Sequence, residues 1–557
     1  MEGNKPKVQI TKIRFNDGTE YTFQPSDVVV FVGANNAGKS QILRDINSYF
    51  ENKETTRIIA KEIELCSSGN PIYFREHAIE RNGSFHFSNT SYNRIDIFEN
   101  QWNNKNYSTF KNFLLKTLST EQRLSDSRPV NTFNSVLEFP QNPIQELYID
   151  DAKETFLSGL MQKAFNLDMI VNRCAGSVIP IHIGQKPPME VGEDRVSGSY
   201  LKKLNNVPQA QNQGDGVRSY LGILLNVFVT PHPIMLIDEP EAFLHPPQAR
   251  LLGKTLAEEL SGCGQIFISS HSGDFIKGLL DSHNENIKII HVNRVDNVNY
   301  VNMLDNCGIA NIWKDPILRY SNILDGLFHS KVVICESDSD CRFYQAVLNA
   351  CFEENDDVSD ILFVQSGGKH RLKTIIPALK ALNVKTMAVA DIDVFNDRTT
   401  FKDVVETLGL DWSEIKPIWE KVNEFAMKQE RLVAISEFQD KLNNIIGNND
   451  GEYLTETTAK KIKDSVKLNL GWSCIKENGR FSFEADPVVL SEFDLLLDKC
   501  YSAGLLVVPV GELECFYKTG SLHGPKWVNN ILETIADLKN DSRLQNARDF
   551  VTKILEF

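Results

Sequence analysis

The chain has 557 residues, 41% hydrophobic and 24% charged, an ordinary globular composition with room for two or three domains whose cores need neither disulfides nor structural metal. Its formal net charge of −15 argues against a generic nucleic-acid coat, which would be basic. It does not exclude a nuclease, because bound cations and local basic strips can meet phosphate.

The start, Met1-Glu-Gly-Asn-Lys-Pro, lacks the apolar stretch of a signal peptide. The greasiest stretch, residues 221–229, is too short to span a bilayer and reads as a buried element leading into a strand. The ten cysteines, Cys263 and Cys307 among them, are scattered with no CxxC pair; this removes a zinc ribbon and suits a reducing cytosol. A cytoplasmic protein with no membrane partner is expected.

Residues 7–32 alternate in strand fashion, and Val28–Val32 is a continuous apolar run, as in a central buried strand. It leads into Gly33-Ala-Asn35-Asn36-Ala-Gly38-Lys39-Ser40, a GxxxxGKS loop set between strand and helix. Gly33 and Gly38 let the backbone curl so that its N–H groups, with those of Asn35 and Asn36, face phosphate. Lys39 would reach the β- and γ-phosphates, Ser40 would bind Mg2+, and the helix N-terminus adds a field favourable to an anion. Residues 52–175 are polar, rich in Asn, Ser and aromatics, and read as insertions and decoration.

Strand–loop–helix alternation returns over residues 175–300. Gln211-Asn-Gln-Gly214-Asp-Gly216-Val-Arg218-Ser219 is a glycine-bearing turn before an apolar helix. Pro233-Ile-Met-Leu-Ile-Asp238-Glu239-Pro240 is an apolar strand ending in two carboxylates, Asp238 for the Mg2+ shell and Glu239 to polarise the attacking water. Gln265-Ile-Phe-Ile-Ser-Ser-His271 is another buried strand, ending in histidine. P-loop, glycine turn, Asp-Glu and His stand in the order of ABC-type ATPases, which this half resembles. The resemblance implies that Gly214 opens a signature-like turn offered to nucleotide on a partner subunit, though the usual leading Leu-Ser is missing. It also implies that His271 senses the γ-phosphate. Glu239-Pro240-Glu241 through Leu244-His245-Pro246 looks most like the RecF, SMC and OLD branch.

Lys331-Val-Val-Ile-Cys-Glu336-Ser-Asp-Ser-Asp340 is a buried strand ending in Glu336, with Asp340 on an incipient helix. Thr386-Met-Ala-Val-Ala-Asp391-Ile-Asp393 is another strand; its Asp-x-Asp ending is expected to put both carboxylates on one side by strand alternation. Oxygen-only clusters of this kind suit Mg2+ or Mn2+ rather than zinc. Between them, residues 366–386 carry Lys369, Arg371, Lys373, Lys380 and Lys385 without an acidic residue, either a phosphate-facing strip or a solvated helix face. Residues 411–480 are charged and helical in pattern. After the apolar run 505–510 come Glu512 and Glu514, and then His523-Gly-Pro-Lys526.

Glu after one strand and Asp-x-Asp after the next resembles the Toprim domain, with Ser337 where a glycine is usual. ATPase first and Toprim second resembles the OLD-family nucleases, a family that includes the Gabija nuclease subunit and retron-associated effectors of phage defence. The resemblance implies an α/β chain. An ABC-type P-loop ATPase domain at residues 1–310, with 52–175 as insertion, and a connector at 311–330 precede a Toprim-like Rossmannoid domain at 331–557 with a helical insertion at 411–480. It further implies ATP and Mg2+ (or Mn2+) as cofactors and two-metal phosphodiester hydrolysis of DNA. The metal ligands would come from Glu336, Asp340, Asp391, Asp393, Glu512 and Glu514, with Lys526 offsetting transition-state charge. Expected partners are DNA, a second copy joined through the ATPase domain, and a defence-system protein such as a reverse transcriptase with its RNA–DNA hybrid or a helicase-like protein. The competing readings are a RecF/SMC-like ATP-dependent clamp and a signalling NTPase with a non-cleaving Toprim domain.

Overall fold

A computed structural model describes the chain except residues 1–4, 78, 82–83, 88–89, 93, 95, 137, 260–263, 305–312, 315–321, 352–359, 431–434, 449–452, 466–470 and 520–521. Cys263, Cys307 and most of 311–321 therefore lie outside the described residues. The eight described cysteines are free thiols. Among the described residues no helix is long and apolar enough to cross a membrane. The chain forms two compact units, Met1–Phe328 and His329–Phe557.

The first unit is built on a six-stranded sheet in the order Val298–Met303, Ile287–Val295, Val28–Val32, Gln265–Ser269, Ile234–Asp238, Leu115–Leu118. All neighbours are parallel except the first pair, which is antiparallel. Val28–Val32 and Gln265–Ser269 are buried at every position, so the apolar run of the first and the Ile-Phe-Ile centre of the second follow from having both faces covered. Leu115–Leu118 lies within the stretch expected to be decoration. It is instead an edge strand of the central sheet, and Arg123 on Thr120–Ser125 after it bonds the Asp238 and Glu239 carbonyls. The segment is short and polar on one face, so nothing in its composition distinguishes it from a surface loop.

A second, three-stranded antiparallel sheet (Glu20–Thr22, Lys7–Phe15, Ala60–Ser68) packs on the first across a shared apolar core, and a fully buried amide bonds the two. Gln265 accepts from Ile10 N–H at 2.7 Å and donates to the Ile10 and Gln24 carbonyls at 2.8 and 2.9 Å. Its side chain thus takes the place of ladder bonds between the two sheets.

The second unit has a four-stranded parallel sheet in the order Ile361–Gln365, Lys331–Cys335, Thr386–Ala390, Leu505–Val507. The chain goes from Lys331–Cys335 to one neighbour and then crosses to the other side. The gap between Lys331–Cys335 and Thr386–Ala390 is therefore a topological switch point, where such sheets open a crevice at their carboxyl ends. Trp527 anchors one face of this sheet: it is fully buried, its ring centroid lies 5.0 Å from that of Phe343, and its indole N–H donates to the Tyr517 carbonyl at 2.9 Å. The described residues between 411 and 480 include the helices Trp412–Met427, Ile435–Gly447, Glu456–Ser465 and Trp472–Asn478. Trp472 and Ile475 are buried, which ties the last of these helices into the unit.

Because Gln265 satisfies three backbone groups at once, Gln265→Leu should lower the first unfolding transition of the chain by about 2–3 kcal/mol. Urea denaturation followed by circular dichroism checks this, and an unchanged midpoint would show that the amide does not join the sheets.

Candidate functional site

The P-loop is held open by steric necessity. A Cβ at Gly33, where φ is +150°, would lie 2.1 Å from the Val292 carbonyl oxygen. Gly38, with φ +103°, precedes helix Lys39–Glu51 and makes no side-chain cap, so the first N–H groups of that helix stay available to an anion. Asn36 sits in the left-handed region at φ +63°. The Lys39 ammonium donates to the Gly33 and Ala34 carbonyls at 2.8 and 2.9 Å, and burial lowers its pKa against the pull of Glu239, Glu241 and Asp238. Ser40 Oγ donates to Asp238 Oδ1 at 2.8 Å, which brings together the two residues expected to share a metal ion. Ser269 Oγ donates to the same oxygen.

His271 Nδ1 is 3.4 Å from both Glu239 Oε1 and Glu241 Oε1. Glu241, which the motif pattern left without a role, is buried; its Oε1 accepts from Ser270 Oγ and from His271 N–H, each at 2.9 Å. Burial raises its pKa, and its Oε2 has no hydrogen-bond partner among the described residues. Gly214 caps helix Asp215–Leu224 at an exposed position with open space where a Cβ would go.

Arg123 is the second residue the sequence did not announce. It is fully buried. Its guanidinium donates to the carbonyls of Asp238 (2.6 Å), Glu239 (2.9 Å) and Leu118 (3.2 Å), to Ser219 Oγ (3.1 Å) and to Thr120 Oγ1 (3.3 Å). Glu239 itself has φ +48°, so the arginine braces a strained turn and ties it to the helix after the signature-like turn. Burial pushes the Arg123 pKa down to about 10, opposed by Glu241, Asp238 and Glu239. Gly222 is required opposite it, because a Cβ there would lie 2.4 Å from the Arg123 carbonyl oxygen.

In the second unit the acidic motifs meet at the carboxyl ends of neighbouring parallel strands. Oxygens of Glu336, Asp391 and Asp393 lie within 4.8 Å of one another, as do ligand atoms of Glu512, Glu514 and His523. Glu336 Oε1 accepts from Asp391 N–H at 3.1 Å. The two aspartates share a side for a reason other than strand alternation: the strand stops at Ala390, and Asp391 caps a 3-10 helix, Ile392–Asn396. Glu512 and Glu514 likewise sit around a 3-10 turn, Leu513–Phe516, well past the strand end at Val507. Glu514 accepts from Gly524 N–H at 2.6 Å, and His523 Nδ1 is 3.6 Å from it. Asp340 is outside both three-residue clusters; its Oδ2 accepts from Ser337 N–H at 2.7 Å, and burial raises its pKa.

The basic residues are placed differently from expectation. Lys526 lies exposed on helix Pro525–Thr534, and among the described residues no ion pair joins it to the carboxylates. Lys476 is there instead, its Nζ 3.1 Å from Asp391 Oδ2, 3.4 Å from Asp393 Oδ2 and 3.3 Å from Glu512 Oε2. Lys369 Nζ is 3.0 Å from Asp393 Oδ1. Of the remaining strip, Lys373 pairs with Asp403, Lys380 donates to the Thr407 and Leu408 carbonyls at the end of a helix, and Lys385 lies over the Phe557 ring. Each of these three lysines thus has a partner of its own, as on a solvated helix face. Lys476 was missed because a single lysine in a charged helical stretch carries no sequence signal.

The carboxylates fit a divalent cation. Desolvation pushes the Asp391 carboxyl up to about 8 even with Lys476 opposing, and raises the half-buried Glu336 too. Oxygen donors so desolvated gain most from a strong local positive charge.

Residues 28–276 match the family described as "AAA domain, putative AbiEii toxin, Type IV TA system", and residues 327–393 match "Overcoming lysogenization defect protein-like, TOPRIM domain". No curated protein matches the chain. Among solved structures the chain is similar to an SMC head bound to the C-terminal winged-helix domain of ScpA, at 13% identity, TM-score 0.32, covering 54% of this chain and 98% of that one. It is also similar to an SMC head from Pyrococcus furiosus with an extended coiled coil (13%, TM-score 0.30, 56% and 99%) and to the SMC head from Thermotoga maritima (13%, TM-score 0.27, 54% and 99%). With an AAA-type ATPase domain followed by an OLD-like TOPRIM domain, the chain has the OLD-family architecture.

Proposed function

We propose that this protein is a divalent-metal-dependent DNA endonuclease whose TOPRIM carboxylates hydrolyse phosphodiesters and whose ATPase domain regulates that step. The observation that carries the proposal is the meeting of Glu336, Asp391 and Asp393 within 4.8 Å, with Glu512 held to the aspartates through Lys476, from three separate motifs at the carboxyl ends of parallel strands. Two such ions would activate a water and steady the leaving oxygen. The chain's own part is to hold them. Glu336 is fixed by the Asp391 backbone, and Asp391 and Asp393 are presented together by a tight turn. Glu512 and Glu514 supply a second group of oxygens, with His523 beside them. Mg2+ and Mn2+ are the ions such oxygen-rich donors suit.

In the ATPase domain, Ser40 and Asp238 would share a Mg2+, Lys39 would turn from the loop carbonyls to the phosphates, and Glu239 would polarise the attacking water with His271 beside it. A second copy meeting this one through the exposed Gly214 turn would complete the nucleotide site. A role in defence against phage, with a reverse transcriptase and its RNA–DNA hybrid or a helicase-like protein as partner, rests on family architecture alone.

A second reading has one observation in its favour. Lys476 and Lys369 already engage Asp391, Asp393 and Glu512, as they would in a TOPRIM domain that binds without cutting inside a RecF/SMC-like clamp or a signalling NTPase. Cleavage and metal binding separate the two. With Mn2+ or Mg2+ the purified protein should cut linear, supercoiled or single-stranded DNA. Glu336→Gln and Asp391→Asn should each cut at least about 100-fold more slowly while ATP turnover persists. Intact DNA in every form, with and without ATP, would leave the clamp as the better reading. Lys39→Ala should do the converse, losing ATP hydrolysis while Mn2+ binding at the TOPRIM carboxylates is kept. For Arg123, which holds the Asp238–Glu239 turn, Arg123→Met should reduce the kcat for ATP roughly 10–100-fold with KM moved much less, and Arg123→Lys should recover part of the loss. Equal kcat in a folded Arg123→Met protein would reduce the arginine to packing.

A further inference from the structure

Lys476 occupies the place a cation would take. Its ammonium touches oxygens of three carboxylates, one of which belongs to the second cluster of ligands. It thereby links the Asp391–Asp393 turn to the Glu512 segment.

The placement is built into the backbone. Lys476 lies on helix Trp472–Asn478, whose Trp472 and Ile475 are buried. A Cβ at Gly511, where φ is +117°, would lie 2.0 Å from the Lys476 carbonyl oxygen, so only glycine lets the two chains approach this closely. The Cys515 thiol donates to the same carbonyl at 3.5 Å, and the Gly511 carbonyl accepts from Ile392 N–H at 2.9 Å. Gly479 is pressed against the Pro509 carbonyl oxygen, 2.3 Å from where a Cβ would be, and Arg480 N–H donates to that carbonyl at 2.8 Å. The segment that carries Glu512 and Glu514 therefore grips the helix that carries Lys476, on both sides of the lysine.

Size and charge make lysine and metal exclusive at this point. The ammonium sits 3.1 to 3.4 Å from its three oxygens. A Mg2+ draws oxygens in to about 2.0–2.1 Å and adds two positive charges where one already stands. The four-carbon stem is flexible and the side chain is 29% exposed, so the ammonium has a route out toward solvent.

We propose that Lys476 is an internal cation that holds the two carboxylate groups together and must withdraw before a divalent ion binds between them, so that it sets the metal concentration at which the site loads. This rests on the metal-centre reading of the same carboxylates.

The test is Mn2+ binding to the full chain by calorimetry, without DNA or nucleotide. Lys476→Met should bind Mn2+ at least about tenfold more tightly than the wild type, because a competing charge is gone. Lys463→Met, at an exposed helical position, should leave the affinity where it was. Equal or weaker binding in folded Lys476→Met overturns the proposal and leaves the metal centre standing, whereas no Mn2+ binding in any of the proteins overturns both. A measurement on the wild type guards against a variant that does not fold: acetylation of Lys476 by a succinimidyl ester, read by mass spectrometry with and without Mn2+. Faster labelling with Mn2+ supports withdrawal of the ammonium, and unchanged or slower labelling overturns it.

Discussion

Carboxylates withdrawn from water at the ends of parallel strands cannot stay ionised side by side without a positive charge among them. In the second unit that charge comes from Lys476, with Lys369 on the flank. Around this pairing the local architecture makes sense. The strand at Thr386–Ala390 stops one residue before Asp391, a 3-10 turn brings Asp393 alongside, and Gly511 has no side chain so that the lysine's backbone can come close. The same desolvation that makes the cluster costly without a cation gives it its appetite for one.

The ATPase unit solves a related problem by different means. Asp238 receives two hydroxyls, from Ser40 and Ser269, and Glu241 receives a hydroxyl and a backbone N–H. The turn that carries Glu239 is left-handed and would relax if unsupported. Arg123 supports it with bonds to the Asp238 and Glu239 carbonyls while also reaching Ser219 on the helix behind the Gly214 turn. A fully buried guanidinium is tolerated here because its donors find oxygens and three carboxylates lie near enough to favour the charge.

Sequence pattern reached both sites unequally. The P-loop, Asp238-Glu239 and His271 could be read because each follows a mainly apolar buried strand, and parallel strands put their functional residues at their carboxyl ends. Glu336 and Asp391 were legible on the same ground. Leu115–Leu118 was not, since a four-residue edge strand in a polar stretch has no period to detect. For Lys373, Lys380 and Lys385 the sequence left a phosphate-facing strip and a solvated helix face both open, because composition counts charges without their partners; the fold gives each a helix end, a carboxylate or a ring.

What the sequence determined by itself was the two-unit α/β plan and the residues at strand ends, because burial and turn chemistry are local and leave a periodic trace. Which cations stand among those residues was decided only by the tertiary structure. Lys476 arrives from a helix more than eighty residues along the chain from Asp391, and Arg123 from more than a hundred residues before Asp238. No local pattern records a contact between side chains so far apart, since the energy that selects it exists only once the sheets have closed and water has left.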